Sequence, residues 1–340
     1  MSDFPVFVKQ VLNGETLNAD ASALAFGEIM AGRAGEDDIA EFLLALAKRN
    51  PTIAEITGAA RAMRAAMTTI DAPASAIDLC GTGGDGLGTL NISTAVSFVA
   101  AACGVPVAKH GNRSASSKSG AADVLEKLGV KIDLAPAAAA ACLRDVGLCF
   151  LFAQTYHPAM KYVANVRRRL GVRTIFNLLG PLSNPARVKR QLLGVYAREL
   201  LEPLAHVLKA LGAEKAWVAH GYDGLDELTT TDITQVAMLE DSVVRTHSVS
   251  PEDAGIPRAT LADLKGGNAD ENAAAIRRLF DGERGAYRGI VLFNTAAALI
   301  VAGKTADLRE GAALPADALD NGSAKRKLAE LIAATNEQRV

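Results

Sequence analysis

Residues 76–94 read AIDLCGTGGDGLGTLNIST. The apolar run AIDLC leads into a glycine-dense turn, and Thr89, Asn91, Ser93 and Thr94 then open an apolar helical stretch at 95–103. Strand, turn and helix form the unit of parallel sheets, because a parallel neighbour needs a crossover and the crossover is usually a helix. The same grammar returns at VPVAK (105–109), LCFLFA (148–153), QLLGVY (191–196) and KAWVAH (215–220). Residues 74–340 are therefore expected to form an α/β domain with a mainly parallel central sheet. Ligands of such sheets gather at the loops after the carboxyl ends of the strands, here 81–94, 110–121, 154–167 and 221–228.

Residues 1–73 follow a different rule. Ile39, Phe42, Leu43 and Leu46 fall on one helical face that ends before Pro51, and Thr52 with Glu55 makes a T-x-x-E capping box for a second helix. Ile53, Ile56, Ala60, Met63 and Met67 then recur at alternating spacings of three and four, a stripe that serves either a core or a helix–helix seam between two copies. The linker DAPAS (71–75) closes this small N-terminal helical domain. Helices near 270–281, 286–302 and 323–338 read as covering structure for the larger domain.

The 340 residues are 49% hydrophobic, 5% aromatic and 22% charged, the balance of a closely packed, helix-rich globule. A net charge of −2 supplies no long-range field for nucleic acid or an anionic membrane, so neither is an expected partner, and an anionic substrate must be met by local cations. The N-terminus carries an acid at position 3 and lacks a secretory pattern, and the longest apolar run, 289–303, is short and holds Asn294. A cytoplasmic protein is expected. Cys80, Cys103, Cys142 and Cys149 have no C-x-x-C spacing and sit in apolar runs, as reduced core thiols do.

Gly81, Gly83 and Gly86 spell G-x-G-x-x-G, but residues 99–110 (VAAACGVPVAKH) lack the acid that would hold a dinucleotide ribose. No Gly-Lys-Ser/Thr follows either, which excludes a Walker A loop. Hydroxyl and amide side chains at a helix start either cap the helix or, with glycines before them, help seat an anion. Asp85, inside this turn, is left with three roles: a ribose hydroxyl, a metal-bound water, or its own loop's N–H groups.

After the next strand, KHGNRSASSKSGAADVLEKLG brings Lys109, Arg113 and Lys118 together with short donors at Ser114, Ser116, Ser117 and Ser119. Two such loops suit opposite ends of a polyphosphate. His110, beside Lys109 and Arg113, is expected to have a lowered pKa and to stay neutral. In GYDGLDEL (221–228), Asp226 and Glu227 offer hard oxygen ligands, and Mg²⁺ is commonly bound by one or two carboxylates together with substrate phosphates. The combination fits metal-assisted chemistry on a diphosphate ester.

Four stretches in this order, GTGGDGLGTLNIST, KHGNRSASSKSGAADVLEKLG, HPAMKYVANVRRRLGVRTIFNLLGPLSNPA and HGYDGLDEL, closely resemble the anthranilate phosphoribosyltransferase family over nearly the whole chain. The resemblance implies a fold of the nucleoside phosphorylase/phosphoribosyltransferase kind. Its small helical domain, joined by a helical segment near 160–188, would form a homodimer interface. It implies transfer of the phosphoribosyl group of 5-phosphoribosyl 1-pyrophosphate to anthranilate, in tryptophan biosynthesis, with Mg²⁺ and two ions per site. By the same resemblance Gly81, Gly84, Asp85, Thr89, Asn91, Ile92, Ser93 and Thr94 contact the diphosphate sugar. Lys109, His110, Gly111, Asn112, Arg113, Ser114, Ala115, Ser116, Ser117 and Ala121 form the other half of that site. Gly81, Asn112 and Arg167 meet anthranilate, and Ser93, Asp226 and Glu227 hold metal. Only the resemblance selects Arg167 over Arg168 and Arg169. Asn165 departs from the proline of many relatives and is expected to loosen a turn before Arg167.

The implied chemistry is departure of pyrophosphate from the anomeric carbon, leaving oxocarbenium character on the ribose. An arylamine is already neutral at pH 7, so no general base is assigned; His110 and Asn112 are the candidates to orient the amine. Pyrimidine nucleoside phosphorylases share the fold and a KHG-type loop but do not need the Asp226–Glu227 pair. A nucleic-acid-binding relative would show extended basic surface and a degraded substrate loop.

Overall fold

The computed structural model describes residues 3–114 and 118–337. It opens with four helices, α1 (Phe4–Leu12), α2 (Ala19–Met30), α3 (Glu36–Arg49) and α4 (Ile53–Ala65). In α3, Glu36, Asp37 and Asp38 occupy the first turn and Lys48 and Arg49 the last, each sign at the dipole end that favours it. The capping box of α4 forms as read: Glu55 N donates to Thr52 Oγ1 (3.2 Å) and Thr52 N to Glu55 Oε2 (2.8 Å). Ile56, Ala60, Met63 and Met67 of its stripe are buried within the chain and Ile53 is 40% exposed, so most of the stripe serves the core.

The remainder alternates: β1 (Ile77–Gly81), α5 (Ile92–Ala102), β2 (Val107–Gly111), α6 (Ala121–Leu128), α7 (Pro136–Asp145), β3 (Leu148–Phe152), α8 (Ala153–Tyr156), α9 (Lys161–Leu170), α10 (Phe176–Leu179), β4 (Arg190–Gly194), α11 (Leu201–Ala210), β5 (Lys215–Gly221), β6 (Thr234–Glu240) and β7 (Val243–Val249). Helices α12 (Ala269–Phe280), α13 (Ala286–Ala302), α14 (Leu308–Asp320) and α15 (Ser323–Glu337) close the chain. The strand order is β3-β2-β1-β4-β5-β6-β7, parallel from β3 to β5.

Two differences from expectation concern the sheet and the helix that follows its first strand. A β6–β7 hairpin extends the sheet antiparallel, turning at Asp241 and Ser242 with φ of 49° and 61°. Such a turn needs positive φ at both central residues, and Asp-Ser lacks the glycine that usually signals it. Helix α5 starts at Ile92 rather than 95, so Ser93 and Thr94 belong to its first turn. Asn165 lies exposed inside α9, not in a turn, so there is no turn for it to loosen.

The sheet separates two apolar cores. Ile77, Leu79, Leu192, Trp217 and Val236 face one core with α5, α12 and α13. Cys80, Leu193, Val195, Ala216, Val218 and Ala237 face another, which they share with α1–α4, α9, α10 and α11. Within the stretch 160–188 helix is confined to α9 and α10, and their apolar residues lie in this second core. Arg64 ties the two parts further, donating to the carbonyls of Leu182 (2.7 Å) and Leu211 (3.1 Å). No helix of the described residues is long and apolar enough to cross a membrane.

Candidate active site

The loops after β1, β2 and β5 converge at the carboxyl end of the sheet. Gly83 N donates to Asp226 Oδ2 (2.9 Å), and Ser93 N, in the first turn of α5, donates to Glu227 Oε1 (3.2 Å). The acid pair is thereby fastened to both the glycine turn and the helix start. Glycine is required for this approach: a Cβ at Gly194 would lie 1.6 Å from the Asp226 carbonyl oxygen, and one at Gly81 2.9 Å from Asp226 Oδ2. The acid loop is braced behind by Asn294, which accepts from Leu228 N (2.9 Å) and donates to Leu228 O (2.8 Å). The residue that spoils the apolar run at 289–303 thus has a positioning task.

Asp85 accepts from Leu87 N (3.1 Å), an Asx-type turn within its own loop. Its carboxyl also stands beside that of Asp226, and burial together with this neighbour pushes the Asp226 pKa up. Glu227 is raised as well, by burial and then by Asp226. Lys109 is 3% exposed and donates to Leu79 O (2.5 Å) and Ser93 Oγ (3.2 Å). Burial lowers its pKa, while the Asp78, Cys80 and Glu227 groups favour its charged form. It acts on the site from below as a fixed charge, not as an arm reaching into solvent.

Among the described residues no group of three His, Cys, Asp or Glu side chains is spaced to hold a metal ion. Asp226 and Glu227 nonetheless crowd together beside Asp85, and burial with these neighbouring carboxyls raises the proton affinity of both, with buried Lys109 as the nearby cation. Hard oxygens with a local shortage of positive charge fit Mg²⁺, whose coordination is typically completed by waters and phosphate oxygens.

The loop after β2 is organised by Asp123 of α6, which accepts from Gly120 N (2.9 Å) and Ser114 N (3.1 Å). Arg113 is turned toward α6, pairing with Asp123 (2.9 Å) and Glu126 (2.6 Å). Asn112 is exposed; its Oδ1 accepts from Arg113 N (2.8 Å), and its NH2 donates to no described residue. Ala121 is the first residue of α6, and the side chain of Ile92 is buried, so Ile92 can offer a ligand only its backbone. Ala115, Ser116 and Ser117 lie outside the described residues.

His110 and His157 form a buried pair. His110 Nδ1 faces Gly180 O at 3.1 Å and its Nε2 meets His157 Nε2 at 3.1 Å. The carbonyl requires Nδ1 to carry the proton, so His110 Nε2 accepts from His157. Burial, then the His157 ring, hold the His110 pKa down to about 3, with Lys109 a lesser cause; burial lowers His157 to about 4. His110 is neutral as expected, but the dominant reason is burial, and Arg113 plays no part. Both nitrogens of His110 are already engaged. Arg167, in the last turn of α9, is half-buried with its guanidinium 5.7 Å from the Phe176 ring centroid and forms no ion pair among the described residues. Arg168 is exposed, and Arg169 pairs with Asp37 at 2.9 Å.

Two further residues touch the glycine turn without a signal in the sequence. Arg173 donates to Gly84 O and lies over the Tyr196 ring, 4.1 Å from its centroid. Lys265 donates to Leu87 O (3.0 Å) beside a bridge between Thr89 and Lys265. Arg173 lies within the stretch 157–186 quoted above, but nothing in that stretch points it at the glycine turn, and Lys265 lies in none of the four stretches; the tertiary fold brings both to the loop.

A family model described as the a/b domain of a glycosyl transferase family matches residues 73–325, and one for the helical bundle domain of that family matches residues 5–67. The chain is 57% identical over 336 residues to an anthranilate phosphoribosyltransferase of Parvibaculum lavamentivorans, covering 99% of this chain and 98% of the relative. It is 53% identical over 337 residues to one of Beijerinckia indica, with the same coverage of 99% and 98%. The crystal structure of anthranilate phosphoribosyltransferase from Thermus thermophilus matches with a TM-score of 0.93 at 42% identity, over 97% of this chain and 99% of that one. The enzyme from Saccharomyces cerevisiae in complex with PRPP and Mg matches at 0.90 with 26% identity, over 98% of each chain.

Proposed function

We propose, from the premise that the chain belongs to the anthranilate phosphoribosyltransferase family, that it transfers the phosphoribosyl group of 5-phosphoribosyl 1-pyrophosphate to anthranilate. The products are N-(5-phosphoribosyl)anthranilate and pyrophosphate, in tryptophan biosynthesis. The observation that carries the reading is the fastening of Asp226 to the glycine turn and Glu227 to the start of α5, which joins the loops after β1 and β5 into one site.

In this reading Gly81, Gly84, Asp85, Thr89 and Asn91–Thr94 hold one end of the diphosphate sugar. Lys109–Ser114 and Ala121 hold the other. Ser93, Asp226 and Glu227 would hold Mg²⁺, two ions in this reading, which when bound would supply positive charge against the leaving pyrophosphate. The field of Lys109 adds to that stabilisation from beneath Ser93. The C–O bond at the anomeric carbon breaks with its electron pair leaving on pyrophosphate; the arylamine lone pair forms the C–N bond, and the resulting ammonium gives its proton to the released pyrophosphate or to water. Arg167, a half-buried guanidinium without a carboxylate partner among the described residues, receives the anthranilate carboxylate beside Gly81. Asn112 orients the amine, its Oδ1 accepting from an amine N–H beside Arg113 N, a task for which the His110 ring has no nitrogen left.

The protein acts as a cytoplasmic homodimer whose subunits meet through the helical domain of residues 1–73. Val6, Leu12, Leu24, Leu44 and Ile53, large apolar side chains left exposed on α1–α4, support that interface. The deciding assay follows loss of anthranilate fluorescence with 5-phosphoribosyl 1-pyrophosphate, with and without Mg²⁺. Metal-dependent turnover is expected; its absence overturns the reading, and phosphorolysis of thymidine or uridine would replace it.

A further inference from the structure

The glycine turn is held from four sides, and only one of its holders comes from the segment that carries Arg167. Thr82 N donates to Gly194 O (2.9 Å), Tyr196 N donates to Thr82 Oγ1 (3.0 Å), and Gly83 N is bound to Asp226. The fourth holder is Arg173, which donates to the Gly84 carbonyl while its guanidinium carbon lies over the Tyr196 ring. Gly84 has φ of +84°, and a Cβ there would lie 3.3 Å from the Arg173 guanidinium, so the turn and the cation fit closely.

Arg173 is exposed and forms no ion pair among the described residues. An exposed arginine without an acid to hold it is costly to orient, because its long side chain loses much rotamer freedom when fixed. Here the Tyr196 face and the Gly84 carbonyl supply that orientation. Tyr196 is in turn tied through its backbone to Thr82, so the ring, the cation and the turn form a closed loop of contacts. Releasing Arg173 frees Gly84, and with it the adjacent Gly83 N–H that sets the Asp226 carboxylate.

We propose that Arg173 is a positioning residue of the phosphoribosyl-transfer site: stacked on Tyr196, it fixes the Thr82–Gly84 turn and thereby the Asp226 carboxylate against the diphosphate sugar. The proposal rests on the transferase reading above. Arg173 acts through the turn and so governs the diphosphate sugar and its metal, not the acceptor.

The test compares Arg173→Ala, Arg173→Lys, Tyr196→Ala and Tyr196→Phe with the unaltered enzyme, measuring KM for each substrate, the half-saturating Mg²⁺ concentration, and the melting temperature. Arg173→Ala is expected to raise the KM for 5-phosphoribosyl 1-pyrophosphate and the Mg²⁺ requirement by roughly tenfold, the scale of one lost charge-assisted hydrogen bond, with the anthranilate KM unchanged. Tyr196→Phe, which keeps the stacking face, should behave as the unaltered enzyme, and Arg173→Lys and Tyr196→Ala should fall between. Constants within twofold throughout overturn the proposal. So does an equal rise in both KM values, or a loss of kcat that tracks the melting temperature alone. Failure of the unaltered enzyme to turn over the two substrates would instead overturn the transferase reading.

Discussion

Around the glycine turn Asp85, Asp226 and Glu227 crowd together over one buried ammonium, Lys109; on α9 the half-buried guanidinium of Arg167 has no carboxylate partner among the described residues. The first region repels bare diphosphate until positive charge is brought in. The second attracts a small carboxylate directly. His110 and His157 are held neutral by burial, with both nitrogens of His110 engaged, so they add charge to neither region. In the proposed reading both substrates are anions, and only the diphosphate sugar is met by metal.

The hardest blow to that contrast is removal of its acidic half. Replacing Asp226 and Glu227 together by Ala should lower kcat/KM for the diphosphate sugar by at least about a hundredfold and flatten the Mg²⁺ titration, since metal charge stabilisation is worth several kcal/mol. An unchanged titration would take both residues out of the metal site. Next in size, Arg167→Ala should raise the anthranilate KM by about ten- to a hundredfold with little change in that of the diphosphate sugar, the cost of one charge-assisted pair. Equal effects on both would erase the division by sign.

Proton competition gives the smallest and most graded test. The Asp226 and Glu227 pKa values are raised in the folded chain, so protons compete with Mg²⁺ as pH falls through them. Half-saturating Mg²⁺ should rise on acidification from the alkaline side of neutral, by roughly tenfold per pH unit for each proton displaced, and metal binding should release protons in a weakly buffered calorimeter. The stability sign is consistent: the folded state binds these protons more tightly than the unfolded one, so their contribution falls as pH rises through the folded pKa values. Added Mg²⁺ with the diphosphate sugar should therefore raise the melting temperature more above those values than below them.

Much of this arrangement was legible in the residues. The five parallel strands follow short apolar runs, and the loops after them carry the glycine, basic and acidic motifs, because backbone geometry and local charge are written in neighbouring positions. The β6–β7 hairpin was hidden by an Asp-Ser turn without glycine and by a β7 strand that is mostly exposed. The role of His157 is set by a partner 47 positions away, and that of Arg173 by one 89 positions away, separations at which no spacing rule operates. Lys109 shows the same limit: its residue type indicated a cation, but whether it reaches outward or lies under Ser93 depends on the Leu79 carbonyl beneath it.

The core shared by α1–α4 with one face of the sheet bears on how the gene can be divided. The linker at residues 71–75 reads as a seam for splitting the chain, yet α4 rests on α10 and α11, and Arg64 reaches the carbonyls of Leu182 and Leu211 on the far side. A fragment ending there would leave Ile56, Ala60 and Met63 without their walls, and the complementary fragment would uncover Leu193, Val195 and Val218. The seam is a boundary of sequence style and not of packing, because the two parts share one apolar core.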